Sequence, residues 1–211
     1  MNFQAIPVGK QWHGDQNRPN IFIFYTPTSG IWQSVWLEPV TIDHIQRLEM
    51  VPDLDQKRLR LKIVTSSRTE SRAEVIISDD GTEIVKLKVN TNREVHINLG
   101  DDIKTWSPKS PFLYDLKIKI DSGDEVSSYF GMRKIEMRKV GRFQRIFLNN
   151  ELLQFQVGPL DQGYWPEGIL TPPTEEAMKW DLEKTLEMGF NMVRKHIKIG
   201  KLSNMFSIYY S

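Results

Sequence analysis

The stretch AEVIISDDGTEIVKLKV, residues 73–89, decides how this chain folds. Branched and aliphatic side chains alternate with mostly polar ones on both sides of Asp80 and Gly81, the period-two pattern of strands with one buried face. Glycine tolerates the positive φ of a tight primed turn, so the segment reads as two antiparallel strands joined through SDDGTE. The same alternation recurs outward in RLRLKIV (Arg58 to Val64), EVHINL (Glu94 to Leu99) and LYDLKIKI (Leu113 to Ile120). Short alternating runs between Ile21 and Ile120, cut by turn residues about every ten positions, predict an antiparallel β-sandwich.

Towards the N-terminus, GIWQSVWLEPV (Gly30 to Val40) reads as a strand that stops at Pro39, which has no N–H for a ladder. TIDHIQRLEMVPDLDQ then reads as a new strand and a polar turn, which places a domain boundary near residues 40–44. Towards the C-terminus the character changes after residue 139. RIFLNNELLQFQVG (145–158) is a hairpin turning at Asn149 and Asn150, with an apolar run leading towards a buried strand. The irregular PLDQGYWPEGILTPP (159–173) follows. Thr171 or Thr174 can cap a helix carrying Glu175 and Glu176 in its first turn, Met178, Leu182 and Leu186 along one stripe beside Trp180, and Gly189 at its end. FNMVRKHIKI (190–199) resumes as a strand. Strand, loop, helix, glycine and strand together make a βα unit feeding a parallel strand. The expected class is therefore mainly β plus α/β.

Composition bounds the function. The 211 residues carry 28 basic and 27 acidic side chains and are 39% apolar, so no charge excess points to nucleic acid or an anionic membrane as the main partner. Cysteine is absent, which excludes disulfides and thiolate metal sites and leaves the redox compartment open. No run approaches the roughly 18 apolar residues of a membrane span, and none has signal-peptide character. As written the chain would remain in the cytosol, with export of a parent protein left open. His13, His44 and His96 lack the spacing of a zinc site, and neither a phosphate loop nor a serine nucleophile elbow occurs. No metal or other cofactor is expected, and oligomeric state is not legible.

Four ordered motifs carry a family resemblance: YTPTSGIWQSVWLEPV (25–40), WSPKSPFLYDLKI (106–118), YFGMRKIE (129–136) and LDQGYWPEGILTPPTEEAMKWDLEKTLEMGFNMVRKHIK (160–198). Together they resemble glycoside hydrolase family 2, the β-galactosidase, β-glucuronidase and β-mannosidase group. The resemblance implies the last strands of a jelly-roll domain over residues 1–42, an immunoglobulin-like sandwich over 43–138 and the start of a TIM barrel over 139–199, followed by a divergent tail, 200–211. A TIM barrel takes about 250 residues, whereas about 70 remain after position 140. Relative to the family the chain is thus expected to be truncated at both ends, with a premature stop or frame shift behind its tail.

The implied chemistry is retaining glycoside hydrolysis, in which an acid and a nucleophilic carboxylate stand about 5 Å apart. The family's two glutamates belong to later barrel strands, and no glutamate here matches either motif. Catalytic residues: none. Asp161 and Glu167 tempt as a substitute pair, but loop acids beside Pro and Gly more often form turns. The loop after the first barrel strand lies on the face where barrel sites form, which makes Asp161, Tyr164 and Trp165 candidates for holding a sugar. Arg194 matches the arginine of the family's N-x-V-R motif, which lies near the sugar site. His196 matches a family histidine only loosely and reads better as a core or strand-end residue, though it stays a candidate for the sugar site. Asn191, the Asn of the N-x-V-R motif, could equally be a polar group satisfying the end of the preceding turn. Trp32 and Trp36 share a strand face that suits a sandwich core or domain interface better than a sugar platform, and Phe24 stands where many members carry a substrate-reaching Asp. The expected partner is a β-glycoside. The alternative, from another functional class, is a noncatalytic sandwich module that binds glycans or proteins.

Overall fold

The structure is a computed structural model, and it describes residues 35, 37–168 and 171–195. Trp32, Trp36, Phe24, His13, His196 and the tail from Gly200 lie outside the described residues. Of the expected Gly30–Val40 strand, the described residues 35 and 37–40 are irregular and exposed.

The described elements, in chain order, are β1 (Ile45–Asp53), β2 (Arg58–Thr65), β3 (Arg72–Asp79), β4 (Thr82–Asn90), β5 (Glu94–Asn98), β6 (Tyr114–Ile120), β7 (Glu125–Phe130), β8 (Ile135–Val140), β9 (Phe143–Leu148), β10 (Glu151–Leu152), β11 (Leu160–Asp161), α1 (Glu175–Glu187) and β12 (Arg194–Lys195). They fall into two units. One is Glu38–Gln154; the described residues 155–168 and 171–195 belong to the other.

The first unit is built on two antiparallel sheets, in the orders β1-β2-β5 and β4-β3-β6-β7. One core joins them: Leu59, Leu61, Ile63 and Ile97 from the first sheet with Val75, Ile77, Val89, Leu116, Ile118 and Phe130 from the second. The sandwich and its five quoted strands are as the alternation predicts. At roughly 1.5–3 kcal/mol for each large apolar side chain buried, this core outweighs the exposed ion pairs around it, each worth at most about 1 kcal/mol. The β3–β4 turn has positive φ at Asp80 (48°) and Gly81 (79°), as a type I′ hairpin requires. Its strands pair from Arg72↔Asn90 to Asp79↔Thr82, with a register shift after Ile77.

Two of the quoted motifs meet in space. Trp106, from WSPKSPFLYDLKI, donates its backbone N–H to the Met132 carbonyl at 2.9 Å, and the Arg133 guanidinium lies 4.6 Å over its ring. Gly131, from YFGMRKIE, leaves room for that ring: a Cβ there would stand 3.0 Å from the Trp106 Cβ. The fully buried Tyr114 turns its hydroxyl to accept the Lys104 N–H at 2.7 Å and stacks on Phe130.

β8, β9 and β10 form a third antiparallel sheet. β8 and β9 pair from Ile135↔Leu148 to Val140↔Phe143, across residues 138 and 139. The Asn149-Asn150 turn between β9 and β10 has positive φ at both residues, 50° and 71°, as the sequence predicts. Asn149 also ties this sheet to the sandwich. Its backbone N–H donates to the Lys134 carbonyl at 2.8 Å, its Oδ1 accepts from the Lys134 N–H at 3.0 Å, and its Nδ2 donates to the Trp106 carbonyl at 2.8 Å. The apolar run expected to lead into a buried strand is instead exposed at Leu152, Phe155 and Val157. Burial on both faces needs covering layers on both sides, and β11 pairs with β12 alone among the described residues.

Candidate functional site

The second unit holds the irregular loop and its flanking elements. β11 and β12 are parallel, with Leu160 opposite Arg194 and Asp161 opposite Lys195. α1 lies between them in sequence. Thr174 caps it by accepting the Ala177 N–H on its hydroxyl at 3.1 Å, and Glu175 and Glu176 complement the N-terminal dipole. Glu176 is held below the ordinary glutamate range by hydrogen bonds from its own backbone N–H and from Thr174. At the other end Gly189 N–H bonds the Leu186 carbonyl at 2.9 Å and Phe190 N–H the Thr185 carbonyl at 3.3 Å, a Schellman closure for which Gly189 takes a φ of 85°. The predicted cap choice thus falls on Thr174, and the order strand, loop, helix, glycine, parallel strand is present.

The two parallel segments are joined by more than their short ladder. Asn191 donates its backbone N–H to the Val157 carbonyl at 3.0 Å, accepts the Val157 N–H on Oδ1 at 2.8 Å and donates Nδ2 to the Phe155 carbonyl at 2.9 Å. Its side chain therefore serves the strand before the loop, a different role from satisfying its own turn. Arg194 N–H donates to the Pro159 carbonyl at 3.0 Å. Between these bonds Gly158 passes so close to Met192 that a Cβ would lie 1.6 Å from the Met192 carbonyl oxygen.

Asp161 is held on both carboxylate oxygens. Its Oδ2 accepts from Lys195 Nζ at 2.7 Å, and its Oδ1 accepts the Gly163 N–H at 2.6 Å; both charged side chains are about one-third exposed, 31% for Lys195 and 34% for Asp161. Tyr164 is partly exposed, Trp165 is half-buried, and Glu167 is exposed in the turn that follows. Arg194 does not join Asp161: opposite residues of a parallel ladder share a face, so Arg194 goes with Leu160, and Lys195 with Asp161. Lys195 had no role in the sequence reading. Only the register of β11 against β12, which strand patterns do not encode, brings it to Asp161.

An aromatic pair and an ion-paired acid in an irregular loop suit stacking on sugar faces and accepting hydroxyl protons. The described histidines lie elsewhere: His44 Nδ1 is 3.0 Å from the Thr41 carbonyl, and His96 sits on the outer face of β5 between Arg58 and Glu94. Among the described residues, no three His, Asp or Glu side chains are placed to hold a metal ion.

The family model described as glycosyl hydrolases family 2 matches residues 43–133, the span of the sandwich. The sandwich matches that family. Similar proteins include a β-galactosidase of Thermoanaerobacter pseudethanolicus, 24% identical over 210 residues, a match that covers 92% of this chain and 27% of that protein. The β-galactosidase large subunit of Leuconostoc lactis is 31% identical over 138 residues, covering 59% of this chain and 21% of that one. Among solved structures, the β-glucuronidase of Ruminococcus gnavus superposes with a TM-score of 0.63 at 15% identity, over 80% of this chain and 27% of that one; at that identity the likeness speaks for the fold. Another similar structure is a β-glucuronidase from Ruminococcus gnavus in complex with D-glucuronic acid. The chain spans about a quarter of the length of these relatives.

Proposed function

We propose that this chain is part of a family 2 β-glycosidase that hydrolyses O-glycosyl bonds of the β-galactoside type in carbohydrate metabolism, and that the chain alone holds sugar without cutting it. The observation that carries this reading is the family match over the sandwich. The parallel β11 and β12, separated in sequence by α1, support reading residues 139–199 as the opening βα unit of a TIM barrel, while the motif YTPTSGIWQSVWLEPV carries the reading of 1–42 as the end of a jelly roll. In that frame Tyr164 and Trp165 stack on the sugar from the rim after the first barrel strand, and Arg194 and His196 belong to the barrel site. Retaining hydrolysis needs an acid and a nucleophile about 5 Å apart. The family places both glutamates on later strands, and no glutamate of this sequence matches them.

Incubating the purified chain with 4-nitrophenyl β-D-galactopyranoside and the corresponding β-glucuronide tests this. No nitrophenolate above the buffer rate is expected. Turnover that vanished in Asp161→Asn or Glu167→Gln would give the chemistry to the loop acids and sink the assignment.

A further inference from the structure

We infer that Lys195 is a positioning residue for the aromatic loop, acting through Asp161 to fix how Tyr164 and Trp165 are presented; the consequence for sugar rests on the function proposed above. The inference starts from geometry. Register places Asp161 and Lys195 on the same face of β11–β12, and their side chains close to 2.7 Å while half-buried. The other oxygen of Asp161 accepts the Gly163 N–H at 2.6 Å, an Asx-turn, and Gly163 takes a φ of 64°. That turn sets the direction in which the chain enters Tyr164 and Trp165. A carboxylate on a β-strand has several staggered rotamers, and only some aim Oδ1 at the Gly163 amide. The ammonium of Lys195, by holding Oδ2, selects among them.

Two roles follow for two charges. Asp161 is the hinge pin of the loop, with a donor already on each carboxylate oxygen, and so contributes to sugar binding by shaping the loop more than by meeting sugar hydroxyls. Lys195 acts here through Asp161. It supplies the fixed positive charge that keeps the pin in one rotamer, which a point charge on a flexible stem does well and a guanidinium can reproduce.

Three variants of this chain separate the possibilities. Lys195→Met removes the cation, Asp161→Asn keeps an acceptor for Gly163 but removes the anion, and Lys195→Arg restores the charge. Amide hydrogen exchange at Gly163 reads the turn, tryptophan fluorescence titrated with methyl β-D-galactopyranoside reads binding, and the thermal midpoint reads the fold. Lys195→Met is expected to speed Gly163 exchange and to weaken the sugar by up to about five-fold, the scale of one partly exposed ion pair, at an unchanged midpoint. Lys195→Arg is expected to return both to the parent values, and adding Asp161→Asn to Lys195→Met to cause little further loss. Unchanged Gly163 exchange in Lys195→Met, or failure of Lys195→Arg to rescue it, overturns the inference. If the parent chain binds no sugar, the proposed sugar site fails, while the exchange measurement still decides whether Lys195 orders the loop.

Discussion

A methyl group at Gly158 would stand 1.6 Å from the Met192 carbonyl oxygen, so this one position sets how closely the two parallel segments approach. Gly158→Ala is expected to push them apart and to cost about 3 kcal/mol, the upper part of the usual overpacking range, because the clash is with backbone and no rotamer can relieve it. Hydrogen exchange at Asn191 and Arg194, whose N–H groups bond Val157 and Pro159, should rise while exchange in the sandwich stays unchanged; protected amides at both would refute the account. Nothing in the local sequence flags Gly158, since close approach depends on a partner 34 positions away. Gly81 is the opposite case. Its role was legible, because turn chemistry is decided within four residues, and its φ of 79° follows from that. Asn149 lies between the two: its positive φ was legible, whereas its bonds to Lys134 and Trp106 depend on strands folding back.

Elements were legible where one period dominates. The half-buried strands match their predicted spans to within a residue or so, and α1 runs from Glu175 to Glu187, between the predicted cap and the predicted glycine. Its inner face differs in detail. Met178 and Leu182 are half-buried, but Leu186 is 69% exposed and Thr185 takes its place. At 3.6 residues per turn, Leu186 lies about 80° around from Met178 and Thr185 only about 20°, so an i, i+4, i+8 stripe drifts off the covered face. Strands β7 and β8 escaped the reading because EVSSYF and IEMRKV lack a clean apolar alternation. Thr174→Ala is expected to remove about 1 kcal/mol from α1 by leaving the Ala177 N–H without its cap. Faster amide exchange confined to the first turn of the helix would bear this out, and unchanged exchange would not.

Among the described residues, ion pairs stud the surface of the sandwich and of the β8–β9–β10 sheet, and these set how that unit responds to acid. The Arg60 guanidinium, hydrogen-bonded to both Glu94 oxygens at 3.0 and 3.1 Å, and then His96 pull Glu94 down to about 2. Arg47 lowers Glu49, Lys117 lowers Glu125, and Arg138 lowers Glu136. A carboxyl lowered on folding contributes its stability in full above its unfolded value, near 4.5 for Glu94, and loses it as pH falls towards the folded value. Urea midpoints should therefore hold from neutrality to about pH 5 and decline between pH 4.5 and 2, less steeply in high salt because these groups are exposed and screened. A midpoint flat through that window would show that the pairs contribute nothing. The sequence by itself determined the sandwich strands, the two hairpin turns, the helix with its caps and the family, because each is written in periodicity, turn residues or ordered motifs within a short span. Only the tertiary structure decided that Trp106 packs on Gly131, that Gly158 grazes Met192 and that Asp161 is held by Lys195. Those contacts come from strand register and close packing between residues 25 to 34 positions apart, where no local preference chooses the partner.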